Sequence, residues 1–337
     1  MSAALWSAAC IPSPDFDDRD LVKTPRILAI IADRPEIGPG QSTTLSVVFA
    51  DPLGGGRPVR YRWRACITTE ALGGMGGGAG FSGAQFGMMA PGAGCASPET
   101  SFDLGEGETA VLTAPPEESI DLLIARFREM VGDAISDVFI ERLLTDVGIQ
   151  LSVQVDVTTD GAAGEELLIT GFKRVIVSRR TAQGTNPPLP RVEFGDFGVI
   201  SGYASASSGF DCATESGGPL VVPPSTLVAL RPDPTPNDPL DSGTDEPWTM
   251  DTLCMDSDPV TECYGVLDPQ GIFTQKPENA FYSWNATAGV FFEGTTIRPA
   301  RDNEWTSPAT PGDVTFWVVM RDGHGGTSAC RATITVR

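Results

Sequence analysis

Apolar and polar positions alternate most cleanly in PVRYRWRAC (58–66), where Val59, Tyr61 and Trp63 take turns with Arg60, Arg62 and Arg64. A period of two puts one set on each face of an extended chain, so this segment predicts a half-buried antiparallel strand. RILAIIAD (26–33) and TTLSVVFAD (43–51) read as two strands before it, separated by the turn-rich RPEIGPGQS (34–42). SFDLG (101–105), TAVLTAP (109–115), IQLSVQVDV (149–157) and ELLITGFKRVIVSRR (166–180) continue the strand pattern. One segment breaks the period. After Pro115 and Pro116, Ile120, Leu123, Ile124, Phe127 and Val131 recur at three- and four-residue steps. That is helical spacing, and Glu117 and Glu118 suit the positive end of a helix dipole. Gly132-Asp133 predicts a break, and Ile135, Val138, Phe139, Leu143 and Leu144 a further turn or two.

TAQGTNPPLP (181–190) reads as a linker, because its prolines bar regular structure. Beyond it the pattern repeats. STLVALRPD (225–233) matches the TLSVVFADP strand, and FYSWNATAGVFF (281–292) matches the tryptophan-bearing third strand. VTFWVVMRDGHGGTSACRATITVR (314–337) reads as a closing hairpin turned by Asp-Gly-His-Gly-Gly. The expected fold is mainly β: two tandem Ig-like β-sandwich domains, the first with an inserted helical segment. The expected boundaries are a signal remnant and tether at 1–25, a first domain at 26–180, the linker at 181–190 and a second domain at 191–337. The first domain would carry a Gly/Met loop within 67–100, and the second an acidic insert.

Composition agrees with turn-rich β structure, with 38 Gly and 28 Pro in 337 residues. The net charge of −21 repels phosphate backbones, so binding to nucleic acid is disfavoured and no nucleic-acid partner is expected. An anionic membrane surface would be repelled too, so membrane attachment would need an anchor. No run of eighteen apolar residues predicts a transmembrane helix.

The seven cysteines are Cys10, Cys66, Cys95, Cys212, Cys254, Cys263 and Cys330. No CxxC pair occurs, and the single histidine, His324, cannot complete a zinc cluster with them. Disulfides in an oxidising compartment are the better reading. Small residues lead up to Cys10, and the Asp- and Pro-rich stretch 11–25 behind it reads as a tether. Ser7-Ala8-Ala9-Cys10 reads as a lipobox, with Cys10 the lipid-attachment site. It departs from the usual lipobox, because Ser7 stands where leucine is preferred, and no basic residue precedes Arg19. We take the start site to be assigned too far downstream. If Cys10 is lipidated, six cysteines remain and allow fifteen pairings. The set taken here is Cys66–Cys95, Cys254–Cys263 and Cys212–Cys330. The expected location is the outer membrane or cell surface, reached by export and held by the lipid.

LAIIADRPEIGPGQSTTLSVVFADPLG, YRWRAC and YSWNATAGVF, together with the closing TSPATPGDVTFWVVMRDGHGGT, resemble uncharacterised lipoproteins of myxobacteria and their relatives. They also look like Ig-like and PKD-type modules of bacterial surface proteins. The resemblance is best over 26–66, 149–195 and 281–337. It implies export and an Ig-like fold, and no catalytic residues. The Gly/Met loop and the acidic segment after 231 depart from it.

Candidate chemistry is sparse. ATESGGPL (213–220) resembles the nucleophile stretch of trypsin-like serine proteases, with Ser216 in the serine position. Glu215 replaces the expected Asp, and that mechanism needs a histidine base ahead of the serine, whereas His324 follows it. His324, between glycines in a turn, is expected to be exposed and inert. No Gly-Lys-Ser/Thr follows the glycine-rich loop, so it is no phosphate loop. Met75, Met88 and Met89 are soft ligands scattered in that loop and read as loop residues. The acidic stretch 233–262 includes Asp238, Asp241, Asp245, Asp256 and Asp258, hard oxygen donors of the kind calcium takes. EF-hand spacing is absent, so a solvated loop is the plainer reading and calcium the alternative. No other cofactor is expected. Asn285-Ala-Thr287 is a chance sequon in a bacterial setting.

The expected role is structural, adhesive or protein-binding, without catalysis, with partners among other surface proteins or polysaccharide. The binding surfaces would be the loops 67–100 and 233–280. A carbohydrate-binding or enzyme-accessory role is the alternative. An exposed cluster of Trp248, Tyr264, Trp284 and Trp305 would favour it, and burial of Trp284 and Trp305 would count against it.

Overall fold

The computed structural model describes residues 19–54, 56–67, 95, 101–131, 136–195, 208–212, 220–233, 263–267, 272–278, 280–297 and 302–337. The first unit contains β1 (Arg26–Ala32), β2 (Glu36–Ile37), β3 (Ser42–Ala50), β4 (Val59–Ile67), β5 (Ser101–Glu106) and β6 (Thr109–Thr113). Helices α1 (Glu117–Val131) and α2 (Asp137–Arg142) follow, and α2 runs into a π turn at Leu143–Val147. Strands β7 (Ile149–Asp160) and β8 (Glu166–Val177) complete the unit.

These strands form two sheets, β1-β3-β6 and β2-β8-β7-β4-β5. The first extended run is shared between them. Its β1 pairs antiparallel with β3, and its β2 pairs parallel with β8 in the facing sheet. An Ig-like sandwich is built this way, and its characteristic core tryptophan is present: Trp63 on β4 is fully buried. The Val59/Tyr61/Trp63 alternation fills the core between the sheets, with Leu45, Leu112, Val153 and Val155 around it. The arginines of the opposite phase face outward, each beside an acid: Arg60 with Glu166 at 2.7 Å, Arg62 with Asp103 at 3.4 Å, and Arg64 with Asp156.

The helical insert sits between β6 and β7 and covers the end of this core with Ile120, Ile140 and Leu144. Ser136 caps α2, its hydroxyl accepting from Phe139 N at 3.2 Å. Strand β8 ends at Val177, short of the expected 180. Arg179 turns away to the insert, where it pairs with Glu117, with Asp121 at 2.8 Å and with Glu141 at 2.9 Å.

The second unit contains β9 (Arg191–Gly195), β10 (Ser208–Asp211), β11 (Leu220–Val222), β12 (Leu227–Asp233), β13 (Cys263–Leu267) and β14 (Phe273–Pro277). It continues through β15 (Phe281–Ala286), β16 (Val290–Phe291), β17 (Thr295–Ile297), β18 (Asn303–Thr306), β19 (Gly312–Arg321) and β20 (Thr327–Val336). Its sheets are β10-β9-β12-β18-β16 and β11-β20-β19-β15-β17. The plan of the first unit recurs, with β10 and β16 added at the edges of one sheet and the β13–β14 hairpin inserted. β9-β12-β18 answers β1-β3-β6, and β11, again parallel to its partner β20, answers β2. Trp284 on β15 takes the place of Trp63 and is fully buried. The strand expected from residue 225 starts at Leu227, because Ser225 holds a φ of 53°, outside extended geometry. The chain is therefore mainly β, two tandem Ig-like β-sandwiches, the first with a helical insert.

Disulfides join Cys66 to Cys95 and Cys212 to Cys330, with Cα atoms 5.4 Å apart in each. Cys263 is also disulfide-bonded, and the Cys254 expected to pair with it lies outside the described residues.

Candidate functional site

Among the described residues, polar side chains gather where the two sandwiches meet. The chain enters along the second domain: Ala286 N donates to Asp20 O at 3.0 Å and Val22 N donates to Ala286 O at 2.8 Å. It then crosses to become β1 of the first. Trp317, facing outward from β19, is buried against Val22 and Ala50, with Leu28 and Val48 beside them. The 181–190 segment is held by both domains. Asn186 Nδ2 donates to Ala32 O at 2.7 Å, its Oδ1 accepts from Thr327 N at 2.9 Å, and Ser328 Oγ donates to Pro188 O at 3.0 Å.

Charged groups thread this contact. Arg321 donates to Leu28 O at 2.9 Å and to Ser283 Oγ at 3.0 Å. Arg26 reaches Asn285 Oδ1 at 3.3 Å. Lys173, from β8, donates to Thr327 Oγ1 at 2.8 Å and to Gly325 O. Burial holds the Lys173 ammonium down to about 8, with Asp322 opposing the shift and Arg321 adding to it. Glu36 is buried at 2% exposure; it accepts from Ser178 Oγ and from Gly184 N at 2.6 Å, with Arg180 at 3.5 Å.

The hairpin β13–β14 reaches from the second domain onto the helical insert of the first. Phe273 meets Phe139 at 5.1 Å between centroids, and the Arg142 guanidinium lies 4.4 Å over the Phe273 ring. Arg180 donates to Cys263 O at 2.8 Å. A Cβ on Gly265 would lie 2.6 Å from Asp146 Cβ, so only glycine lets β13 come this close to the π turn.

His324 differs from its expected exposure. Its side chain is 12% exposed and stacks on Tyr264, with centroids 4.1 Å apart and an interplanar angle of 14°. The turn holding it folds inward because Asp322, itself buried, accepts from His324 N at 2.7 Å and Gly326 N at 2.9 Å. Burial pushes the imidazole down to about 4, against the Glu36 charge and with the help of Arg180. Glu278 stands 3.6 Å from Nδ1, beyond hydrogen-bond reach. Burial also pushes the Asp322 carboxyl up, despite its backbone donors and the Lys173 charge.

Cys10, Cys254, Met75, Met88, Met89, Ser216, Trp248 and the acids Asp238, Asp241, Asp245, Asp256 and Asp258 lie outside the described residues. Among the described residues no group of three or more His, Cys, Asp or Glu is placed to hold a metal, and no helix is long and apolar enough to cross a membrane. Trp284 and Trp305 are both fully buried, their indoles donating to Thr296 Oγ1 at 2.9 Å and Ala288 O at 3.3 Å. Neither offers a face to a sugar. Asn285 of the sequon is 7% exposed and packed at the junction.

Sequence reasoning missed Lys173, Arg26 and Arg321. A signal existed for Lys173, which shares the inward phase of β8 with Leu167, Ile169 and Gly171. Another existed in β19, where Phe316 through Met320 are all buried, the mark of a strand covered on both faces.

No family model matches the chain, and no curated protein matches it at a significant level. Among solved structures, the D0-D1 domain of intimin aligns with 91% of this chain and 98% of its own, at 9% identity and a TM-score of 0.18. The three N-terminal domains of the outer capsid protein Hoc of bacteriophage RB49 align with 93% of this chain and 59% of theirs, at 9% identity and a TM-score of 0.18. The Bacteroides ovatus mixed-linkage glucan utilization protein SGBP-B, in complex with a heptasaccharide, aligns with 93% of this chain and 47% of its own. Its identity is 11% and its TM-score 0.19. At these scores the likenesses say nothing of function.

Proposed function

We propose that this chain is a non-catalytic surface protein. It is exported, anchored through lipid on Cys10, and displays two Ig-like domains as one rigid unit for adhesion or for binding other surface proteins. The observation that carries this reading is the junction. The entry strand, the 181–190 segment and the β13–β14 hairpin each fasten one domain to the other. Three separate chain segments, with the buried Trp317 packed against Val22 and Ala50 among them, support a fixed angle between the domains, which suits presentation of a surface. The histidine and the buried acids around it are engaged in packing and hydrogen bonding. Disulfides in both domains support an oxidising compartment. The burial of Trp284 and Trp305 counts against the carbohydrate-binding alternative.

The test expresses the gene from its native locus. Intact mass and protease shaving of whole cells are compared with a Cys10→Ala variant, and the labelled full chain is assayed for binding to cells. The expected result is an acylated, protease-accessible protein that Cys10→Ala releases, and saturable cell binding. An unmodified chain in the cytoplasm, or cell binding that never saturates, would overturn the reading.

A further inference from the structure

A cavity of about 240 Å³ opens at the domain junction. Its walls come from the adjoining stretches of β1 and β8, and Arg321 and Thr327 of the second domain close one end. Neither strand is paired on the side facing the other, since β1 bonds only β3 and β8 bonds only β7 over this length. Gly171 sets their separation, because a Cβ there would meet Ile27 Cδ1 at 3.0 Å. The polar half of the cavity holds three cations, Arg26, Lys173 and Arg321. Their partners are neutral: a carbonyl and a hydroxyl for Lys173, a carbonyl and a hydroxyl for Arg321, and an amide oxygen for Arg26. Among the described residues no carboxylate oxygen stands within 4.0 Å of any of the three. Asp322 and Asp20 act on Lys173 and Arg26 only from further away. Arg26 Nε is buried and makes no hydrogen bond.

Burying cations together without a counter-charge is unfavourable, more so when one donor is left idle. In a chain of net charge −21 a carboxylate in direct contact would be easy to supply, yet the two that act on these cations, Asp322 and Asp20, stand beyond 4.0 Å. We propose that this cavity binds a small organic carboxylate, whose anionic head sits among Arg26, Lys173 and Arg321 and whose apolar body lies along Ile27, Ile30 and Ile169. Guanidinium groups favour the planar carboxylate, and Thr327 adds a hydroxyl. Inorganic phosphate would leave the isoleucine walls unused and would bring a larger charge to desolvate. Phe172 lines the cavity and is 40% exposed.

The probe is benzoate, titrated calorimetrically into the full-length protein near neutral pH, with sodium chloride and inorganic phosphate at matched ionic strength as controls. The expected result is one saturable site for benzoate. A concentration about tenfold above the dissociation constant should raise Tm by about 2 °C or more, with no rise from either control. Lys173→Met should melt higher than wild type without ligand, yet bind benzoate at least about tenfold more weakly, the loss of one charge-assisted contact. Thr327→Val, which keeps all three charges, should weaken binding severalfold. The proposal is overturned if benzoate gives no saturable heat, if phosphate binds and benzoate does not, or if both variants bind benzoate as wild type does.

Discussion

The imidazole of His324 lies flat against the phenol of Tyr264, centroids 4.1 Å apart, and so joins the β19–β20 turn to the inserted β13–β14 hairpin. Because burial holds the ring down to about 4, folding keeps His324 neutral where the unfolded chain would protonate it near 6.5. Between those values the unfolded state binds more protons, so stability rises with pH there and is lost as pH falls from about 6.5 to about 4. The loss should approach about 3 kcal/mol at most. Urea denaturation across this range should show the decline, and His324→Phe, which keeps the stack without the titration, should flatten it. Equal acid slopes in the two proteins would refute this account.

Lys173 behaves in the same direction at the other end of the scale. Its ammonium titrates at about 8 in the folded protein and at 10.5 unfolded, so the unfolded state again holds more protons between them. Stability from this group is lowest below about 8 and recovers as pH rises towards 10.5. Lys173→Met should therefore be more stable than wild type at neutral pH, by about 1–4 kcal/mol. That advantage should shrink through the alkaline window, as guanidinium denaturation at several pH values would show. A constant difference would mean the lysine is not paying a burial penalty.

Trp63 and Trp284 explain how much of the fold is legible from sequence. Trp63 sits within a strong alternation and follows a strand rich in β-branched residues, Trp284 stands in the matching FYSWNATAGVFF segment, and each precedes a closing hairpin, so the repeat and the two core centres follow from pattern. Short strands such as β9, β10, β16 and β17 have two to five residues, too few for a period to show. The junction is faint in the sequence for a different reason. Arg26, Lys173, Arg321 and His324 are charged or turn residues that local rules place in water. They are covered because the other domain and the β13–β14 hairpin pack over them, and the sequence carries only a trace of that, in the inward phase of Lys173 on β8 and the unbroken apolar run of β19.

Trp284 also yields a prediction of its own. Its indole fills the second core beside Phe291 and Phe316 and donates to Thr296 Oγ1. Trp284→Phe removes volume and the hydrogen bond to Thr296 Oγ1, so the second domain should lose about 2–4 kcal/mol. Trp63→Phe should act alike on the first domain, where the indole donates to Gly107 O at 2.8 Å. Urea titration followed by intrinsic fluorescence measures both. A loss under about 1 kcal/mol in either would mean that core repacks freely.

The two resolved disulfides should differ in what they contribute. Cys212–Cys330 ties the segment after β10 to β20 across a sequence separation of 118, whereas Cys66–Cys95 spans 29. If constraint of the unfolded chain dominates, the first stabilises by about 5 kcal/mol and the second by about 3.5 kcal/mol. The junction adds a consequence. Trp317, Arg321 and Thr327 belong to β19 and β20, so loosening β20 also loosens the first domain's support. Cys212→Ser with Cys330→Ser should therefore lower the transition of the second domain and broaden that of the first in scanning calorimetry. Cys66→Ser with Cys95→Ser should lower the first domain and leave the second close to wild type. Independent shifts in both double variants would show that the domains unfold separately, and the rigid-unit reading would fall with that result.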